Sequence, residues 1–516
     1  MSENSTPPNP TAPPRRRAWL KRLGWAALWF LTAVAILITF ENWRGRRAFE
    51  RLAAECKAAG DDLSPAALIP PPIPDAENFG TAPIFQPLFD SERASKPGEP
   101  VRWKNEAEKK RLENLRFPIQ SNQKSPVPTG GWRAGKFTDV VAWQSYFRGL
   151  TNVPVAPQPQ SPGADILLAL TYYDRDYAAV REAAARPKTR FPVRYEDNFA
   201  ALLPHLSLLR TFAQVAQFRA IAQLAEANSA GAANDLLLAL RLAESLDHEP
   251  LLISQLVRIA ILEQASTPLW EGLARHQWSD AELAQFEQRL APINFAASAQ
   301  LALRGERSLG IIAGLDTIRN NPKIFNAING NDDSALPARL APSAFVDHSK
   351  VVAVQFLNES IAAIDPVAHR FDNKKPDEIE KRLEDHRKHI LRHPYSIFAT
   401  MLLPAVSRTT LRMASAQATI DLARIAIALE RHRLKHGALP EKLEALDAAV
   451  KLTGNFPRDV ITGDAIHYQR TGEDRFLLHS TGWDGIDDGG KTAWTDRKET
   501  RVDFAKGDYV WPMPEK

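Results

Sequence analysis

At 516 residues and 57.4 kDa, with 44% hydrophobic and 24% charged residues, the chain is too long for one compact core and has the composition of several folded units. A mean hydropathy of −0.30 excludes a polytopic membrane protein, and 65 basic against 61 acidic residues leave a net charge of only +4. A single cysteine, Cys56, excludes an intrachain disulfide and any cysteine-based metal site within one chain, so packing must hold the fold.

Residues 1–17 begin with the polar, proline-rich run MSENSTPPNPTAPP and read as a disordered cytoplasmic tail. A basic cluster follows, Arg15 to Arg17 with Lys21 and Arg22. It flanks an apolar run and so reads as a topology signal rather than a nucleic-acid footprint. That run, Leu23 to Phe40, has eighteen residues without a charge. As a helix it spans roughly 27 Å, close to the hydrocarbon thickness of a bilayer, with Trp19, Trp25 and Trp43 near its ends. The run is longer than a signal-peptide core and ends in Phe40, Glu41, Asn42 and Trp43 without a small-residue cleavage site. Residues 18–43 are therefore expected to be an uncleaved transmembrane anchor in a bacterial inner membrane. Residues 42–516 would then lie on the periplasmic side.

Residues 44–190 form a loop-rich, membrane-proximal region. The stretch Glu41 to Ala59 continues the anchor helix as a stalk until Gly60, and Pro70, Pro71, Pro72 and Pro74 then favour an extended spacer. Cys56 is read as an incidental thiol on this stalk, the alternative being a bridge between two copies. Short helices are expected at Asp139 to Arg148 and Pro162 to Leu170, while the fold of residues 86–190 stays open.

Residues 191–316 change to sustained helical periodicity. Leu206, Leu209, Ala213, Ala216, Ala220, Leu224 and Ala227 build one apolar stripe. Asn228 to Gly231 make a turn, and Leu236, Leu240, Ala243 and Leu246 continue on a second helix. The pair looks like one tetratricopeptide-type unit within a helical bundle or short solenoid. Pro250 restarts a third helix through Leu273, and Ser279 with Glu282 writes a capping box before a fourth. Residues 317–395 hold a polar loop, Asn320 to Asp333, and helices near Ser349 to Ala363 and Asp377 to Ile390. Residues 396–516 open with a long helix, Ser407 to about Lys435. Its stripe of Leu411, Ser415, Ala418, Leu422, Ile425 and Leu429 suits a helix laid along a partner surface. Gly437 and Pro440 end it, and AIHYQR (465–470) and RFLLHS (475–480) read as a hairpin closed by Thr471 to Asp474. The fold class expected is mainly α, with a small C-terminal α+β module carrying an antiparallel sheet.

The succession of Ala428 to Leu446, Phe456 to Arg470 and Phe476 to Gly490 resembles the globular domain of the major pseudopilins of type II secretion systems. Ser480, Gly482, Asp484 and Gly485 match that family's Ser-x-Gly-x-Asp-Gly closing loop. The resemblance covers about residues 405–490, and the chain as a whole resembles uncharacterised single-span bacterial envelope proteins. Two features depart from the family: no Gly-Phe leader precedes Leu23, and more than 350 residues separate the anchor from the matching module. Processing or polymerisation as a pilin subunit is therefore not expected. The resemblance implies calcium in the closing loop, with Asp484, Asp487 and Asp488 as oxygen ligands and Asp496 nearby. An EF-hand is excluded because Thr495 stands where its last glutamate belongs. The alternative is a solvated acidic turn whose aspartates cap backbone amides.

Other residue patterns carry weaker chemistry. His386, His389 and His393 share a face if one helix holds them, but Arg387, Lys388 and Arg392 between them disfavour a cation, so a basic helix is the better account. Ser121 and Lys124 have the S-x-x-K spacing of penicillin-recognising enzymes in a loop that lacks the partner motifs. His205 and His248 with acidic neighbours would serve an envelope hydrolase whose site is assembled from distant residues, while Asp247, His248 and Glu249 are more simply read as helix-end caps. Trp483, Trp494 and Trp511 read as the core of a small sheet rather than a ligand platform. Weighed together, these features favour a membrane-anchored, non-catalytic scaffold with a protein partner in the envelope and no nucleic acid.

Overall fold

A computed structural model describes residues 15–92, 102–117, 131–320, 343–449, 452–499 and 501–515. The expected tail before residue 15, the pair Ser121 and Lys124, and the polar loop beyond Asn320 lie outside the described residues. The chain divides into two compact units, one formed by residues 1–62 with 315–352 and the other by residues 63–314 with 353–516. The second unit thus groups all but the last two residues of the helical stretch 191–316 with the C-terminal stretch 396–516.

The first unit is built on α1 (Arg15–Ala58), 44 residues without a break, which extends about 66 Å. Among the described residues it is the one helix long and apolar enough to cross a membrane, and none of its apolar window is buried. A signal sequence meets the same description by length and composition. Beyond the apolar run the helix acquires partners from α10 (Ala313–Asn320) and α11 (Ser343–Ala362). The Ala344 amide donates to the Asn42 side chain at 2.8 Å, and Gly45 allows the Ala344 backbone to approach. Lys350 stands over the Phe49 ring while its Nζ donates to Asp316 at 2.5 Å. Cys56 is buried, which argues against a ready bridge between copies. Gly60 closes the turn after the helix at φ +82°, where a Cβ is disfavoured.

The core of the second unit holds α2 (Val140–Arg148), α3 (Pro162–Leu170), α4 (Asp174–Ala183), α5 (Pro204–Ala225), α6 (Ser229–Glu244), α7 (Leu252–Ala274), α8 (Asp280–Leu290) and α9 (Phe295–Gly305). Helices α5, α6 and α7 each pack on the other two, and α3 covers α5. The single stripe read from the sequence understates α5, because sixteen of its 22 residues are buried and the helix is enclosed on most sides. Asn228 accepts from the Gly231 amide, so the expected turn becomes the first turn of α6. The capping box at Ser279 and Glu282 forms as read.

The loop-rich stretch before this core is pinned to it by hydrogen bonds and aromatic packing. Asn78 accepts from the Arg190 and Gly80 amides and donates to the Arg190 carbonyl. Phe79, Phe85 and Phe191 meet edge to face.

The charged helix, α12, covers Lys375–Lys388, and the long helix, α13, covers Pro404–His436. Every residue of α13 from Met413 to Glu430 is buried. It packs on α7, α8 and α9 and on the strands that follow, which corrects the expectation of a helix laid along one surface. Gly437 caps it in the left-handed conformation, φ 76°. Three strands then form an antiparallel sheet in the order β1 (His467–Arg470), β2 (Phe476–Ser480) and β5 (Tyr509–Trp511). Strands β3 (Thr492–Trp494) and β4 (Val502–Gly507) pair separately. The chain is therefore mainly helical, with one long N-terminal apolar helix and small antiparallel sheets near the C-terminus.

Candidate functional site

The loop after β2 is held by two buried carboxylates that the sequence did not single out. Asp459 Oδ2 accepts from the Ser480 hydroxyl, the Thr481 amide and the Thr481 hydroxyl, each at 2.8 Å. Its Oδ1 accepts from the Ile461 and Thr462 amides at 2.8 and 2.9 Å. Asp508 accepts from the amides of Asp488, Gly490 and Lys491. Loops leave many backbone donors unpaired, and these aspartates supply the acceptors that a sheet ladder would otherwise give. Gly482 crosses so close to Gly507 that a Cβ there would collide with the Gly507 carbonyl oxygen.

The three aspartates expected to bind calcium serve different partners. Asp484 accepts from the Ile486 amide at 3.1 Å and from the Gly507 amide at 3.4 Å. Asp488 gives its amide to Asp508. Asp487 accepts from the Gly489 amide at 2.9 Å and faces two histidines. Its Oδ1 lies 3.0 Å from His479 Nε2, and its Oδ2 lies 3.5 Å from His467 Nδ1. The Gly489 amide, then the His479 hydrogen bond, hold the Asp487 carboxyl below the usual carboxylate range. His467 and His479 are cross-strand partners, and their rings stack 4.8 Å apart at 14°. Among the described residues, these three form the one group of at least three His, Cys, Asp or Glu donors close enough to share an ion.

Neither histidine was identified as a site residue from sequence. The expected four-residue loop pairs Arg470 with Arg475, which sets His479 opposite Ile466. In the structure Arg470 pairs with Phe476, a five-residue loop, and this one-residue change brings His479 opposite His467.

The remaining candidates are dispersed. Helix α12 ends at Lys388, so His389 and His393 leave its face; His393 instead stacks on His386 at 4.0 Å, and His389 lies 3.6 Å from Asp385. His205 does meet Glu249, at 2.8 Å, and Ser254 donates to the same carboxylate. However, His205 has no exposed surface and its ring stacks on Phe191, so substrate has no access to the pair. His248 is exposed while its neighbour Glu249 turns inward. Asp247 forms an ion pair with the buried Arg258. Trp483 and Trp511 are buried, and Trp511 packs on Trp132, while Trp494 is half-buried. Comparisons with protein-family models, curated proteins and solved structures return no match for this chain.

Proposed function

We propose that this chain is a single-span protein of the bacterial inner membrane whose folded part stands in the periplasm and holds other proteins without catalysing a reaction. One observation carries the reading: the exposed apolar segment of α1 continues without a break into a helix that is bonded into a folded unit through Asn42, Gly45 and Phe49. Such continuity suits a retained anchor better than a removable leader, because the anchor and the first folded contacts belong to one rigid element. The buried environment of His205 and Glu249 supports a non-catalytic role, since the pair is enclosed in the core. The pseudopilin-like C-terminal module belongs to this reading as the recognition element. Strand β1 lies at the edge of its sheet, a position from which a partner strand can be added.

The test is site-specific photocrosslinking in native membranes, with the full-length chain carrying the crosslinker at Gln469 on β1 or at the exposed Arg175 on α4. A recurrent protein captured from Gln469 and absent from Arg175 supports the reading. Equal sparse background from both sites overturns docking at this edge. Protease treatment of spheroplasts addresses topology: the folded part should be digested from outside, and full protection overturns the periplasmic placement.

A further inference from the structure

We propose that His467, His479 and Asp487 bind one divalent transition-metal ion of the zinc class. This inference stands apart from the docking reading and rests on the geometry of β1, β2 and the closing loop. Tetrahedral zinc bonded at 2.0–2.1 Å to nitrogen and oxygen needs its donor atoms about 3.3 Å from one another. The carboxylate of Asp487 already lies 3.0 Å from one imidazole nitrogen and 3.5 Å from the other. All three ligand atoms lie within 4.8 Å of one another, so side-chain rotation alone can gather them around an ion that replaces the proton between His479 and Asp487.

The surroundings fit an ion that enters from solvent. His479 is only 4% exposed, so sheet packing fixes its ring. His467 and Asp487 have side chains 44% and 43% exposed, leaving an approach and a place for water in the fourth position. The two rings stack face to face, 4.8 Å apart at 14°, and a turn of the exposed His467 ring is what would bring its nitrogen round to the ion. Two imidazoles and one carboxylate favour zinc, cobalt or nickel over calcium, which seeks six or more oxygens. On its far edge, His479 Nδ1 is buried near Gly490 without a hydrogen-bond partner. An outer acceptor on a ligand histidine is worth about ten- to a hundred-fold in affinity, so this site is expected to bind more weakly than one whose ligands are backed in that way. The ion would tie the hairpin to the loop and so stiffen the recognition module.

The experiment uses full-length protein purified in detergent without a polyhistidine tag and stripped with chelator. Cobalt is titrated in and followed by its visible ligand-field absorption, then displaced with zinc. Saturable binding is expected, and His467→Ala and Asp487→Asn should each weaken it about ten- to a hundred-fold. Because His467 is exposed, its substitution should leave thermal unfolding of the metal-free protein unchanged. Zinc should slow amide hydrogen exchange across residues 484–491 in the wild type, while excess calcium leaves the cobalt spectrum intact. Absence of saturable cobalt binding, wild-type binding by either variant, or displacement by calcium overturns the proposal.

Discussion

In the helical core a buried carboxylate joins side chains from several helices, whereas in the closing loop it joins backbone amides. Asp235 on α6 accepts from Tyr177 at 2.8 Å and Arg181 at 2.5 Å on α4, and from Arg219 and Gln223 on α5. Glu287 on α8 meets Arg424 on α13 at 3.0 Å and adds one main-chain donor, the Thr453 amide, beside the Thr453 hydroxyl. Asp459 and Asp508 instead collect mainly main-chain donors from a few neighbouring residues. The difference follows from the backbone. A helix satisfies its own peptide groups, so a buried acid within a bundle is left to pair with cations and hydroxyls; a loop cannot, so its acids turn to amides. Loss of a carboxylate should therefore loosen the packing of whole helices in one region and release a single loop in the other.

The largest expected effect tests the first half of that contrast. Glu287→Ala leaves the buried Arg424 charge without its ion-pair partner and should cost about 3–5 kcal/mol, seen as lowered stability of the entire second unit in denaturant unfolding. Next comes Asp421, on α13 in the same core. Burial pushes its pKa from 3.8 up to about 7, opposed by hydrogen bonds from Gln417 and by the Arg424 charge. The folded state thus holds a proton that the unfolded chain has released, so stability falls as pH rises from about 4 to 7. Asp421→Asn should abolish that fall, a difference of up to about 4 kcal/mol at pH 8. Thermal unfolding at pH 5 and pH 8 reads it, and an unchanged slope in the variant would remove Asp421 as its source.

Smaller effects sharpen the contrast. Gly482→Ala drives a methyl group into the Gly507 carbonyl and should cost about 1–3 kcal/mol. Its mark should be faster amide exchange confined to residues 480–490, with α5 to α7 unaffected. Ser279→Ala removes the N-cap of α8 and should cost about 1 kcal/mol, a shift in unfolding midpoint without a change of slope.

The helices were legible in the sequence because each carries its own punctuation. Asn228, Ser279 and Gly437 mark helix ends, and the structure uses all three as caps. What periodicity did not reveal was enclosure: alanine and leucine on every face make α5 and α13 central, yet the same residues also fit a single stripe. The loop was legible only in part. Ser480, Gly482, Asp484 and Gly485 announced a tight turn, but Asp459 and Asp508, which bind it together, lie more than twenty residues away from Ser480 in one direction or the other. His467 and His479 came together through strand register, which residue type alone does not specify.

The discontinuity of both units bears on how the chain is made. The stalk half of α1 finds its partner at Ala344, a segment synthesised some 300 residues after the helix itself. Helices α7 to α9 meet α13 only after another hundred residues have followed them. During translation each half-built core exposes apolar surface until its late segment arrives, and such long-range closure folds slowly and is prone to aggregate. A nascent chain stalled before residue 404 would therefore present an incomplete bundle, a ready substrate for chaperones and proteases.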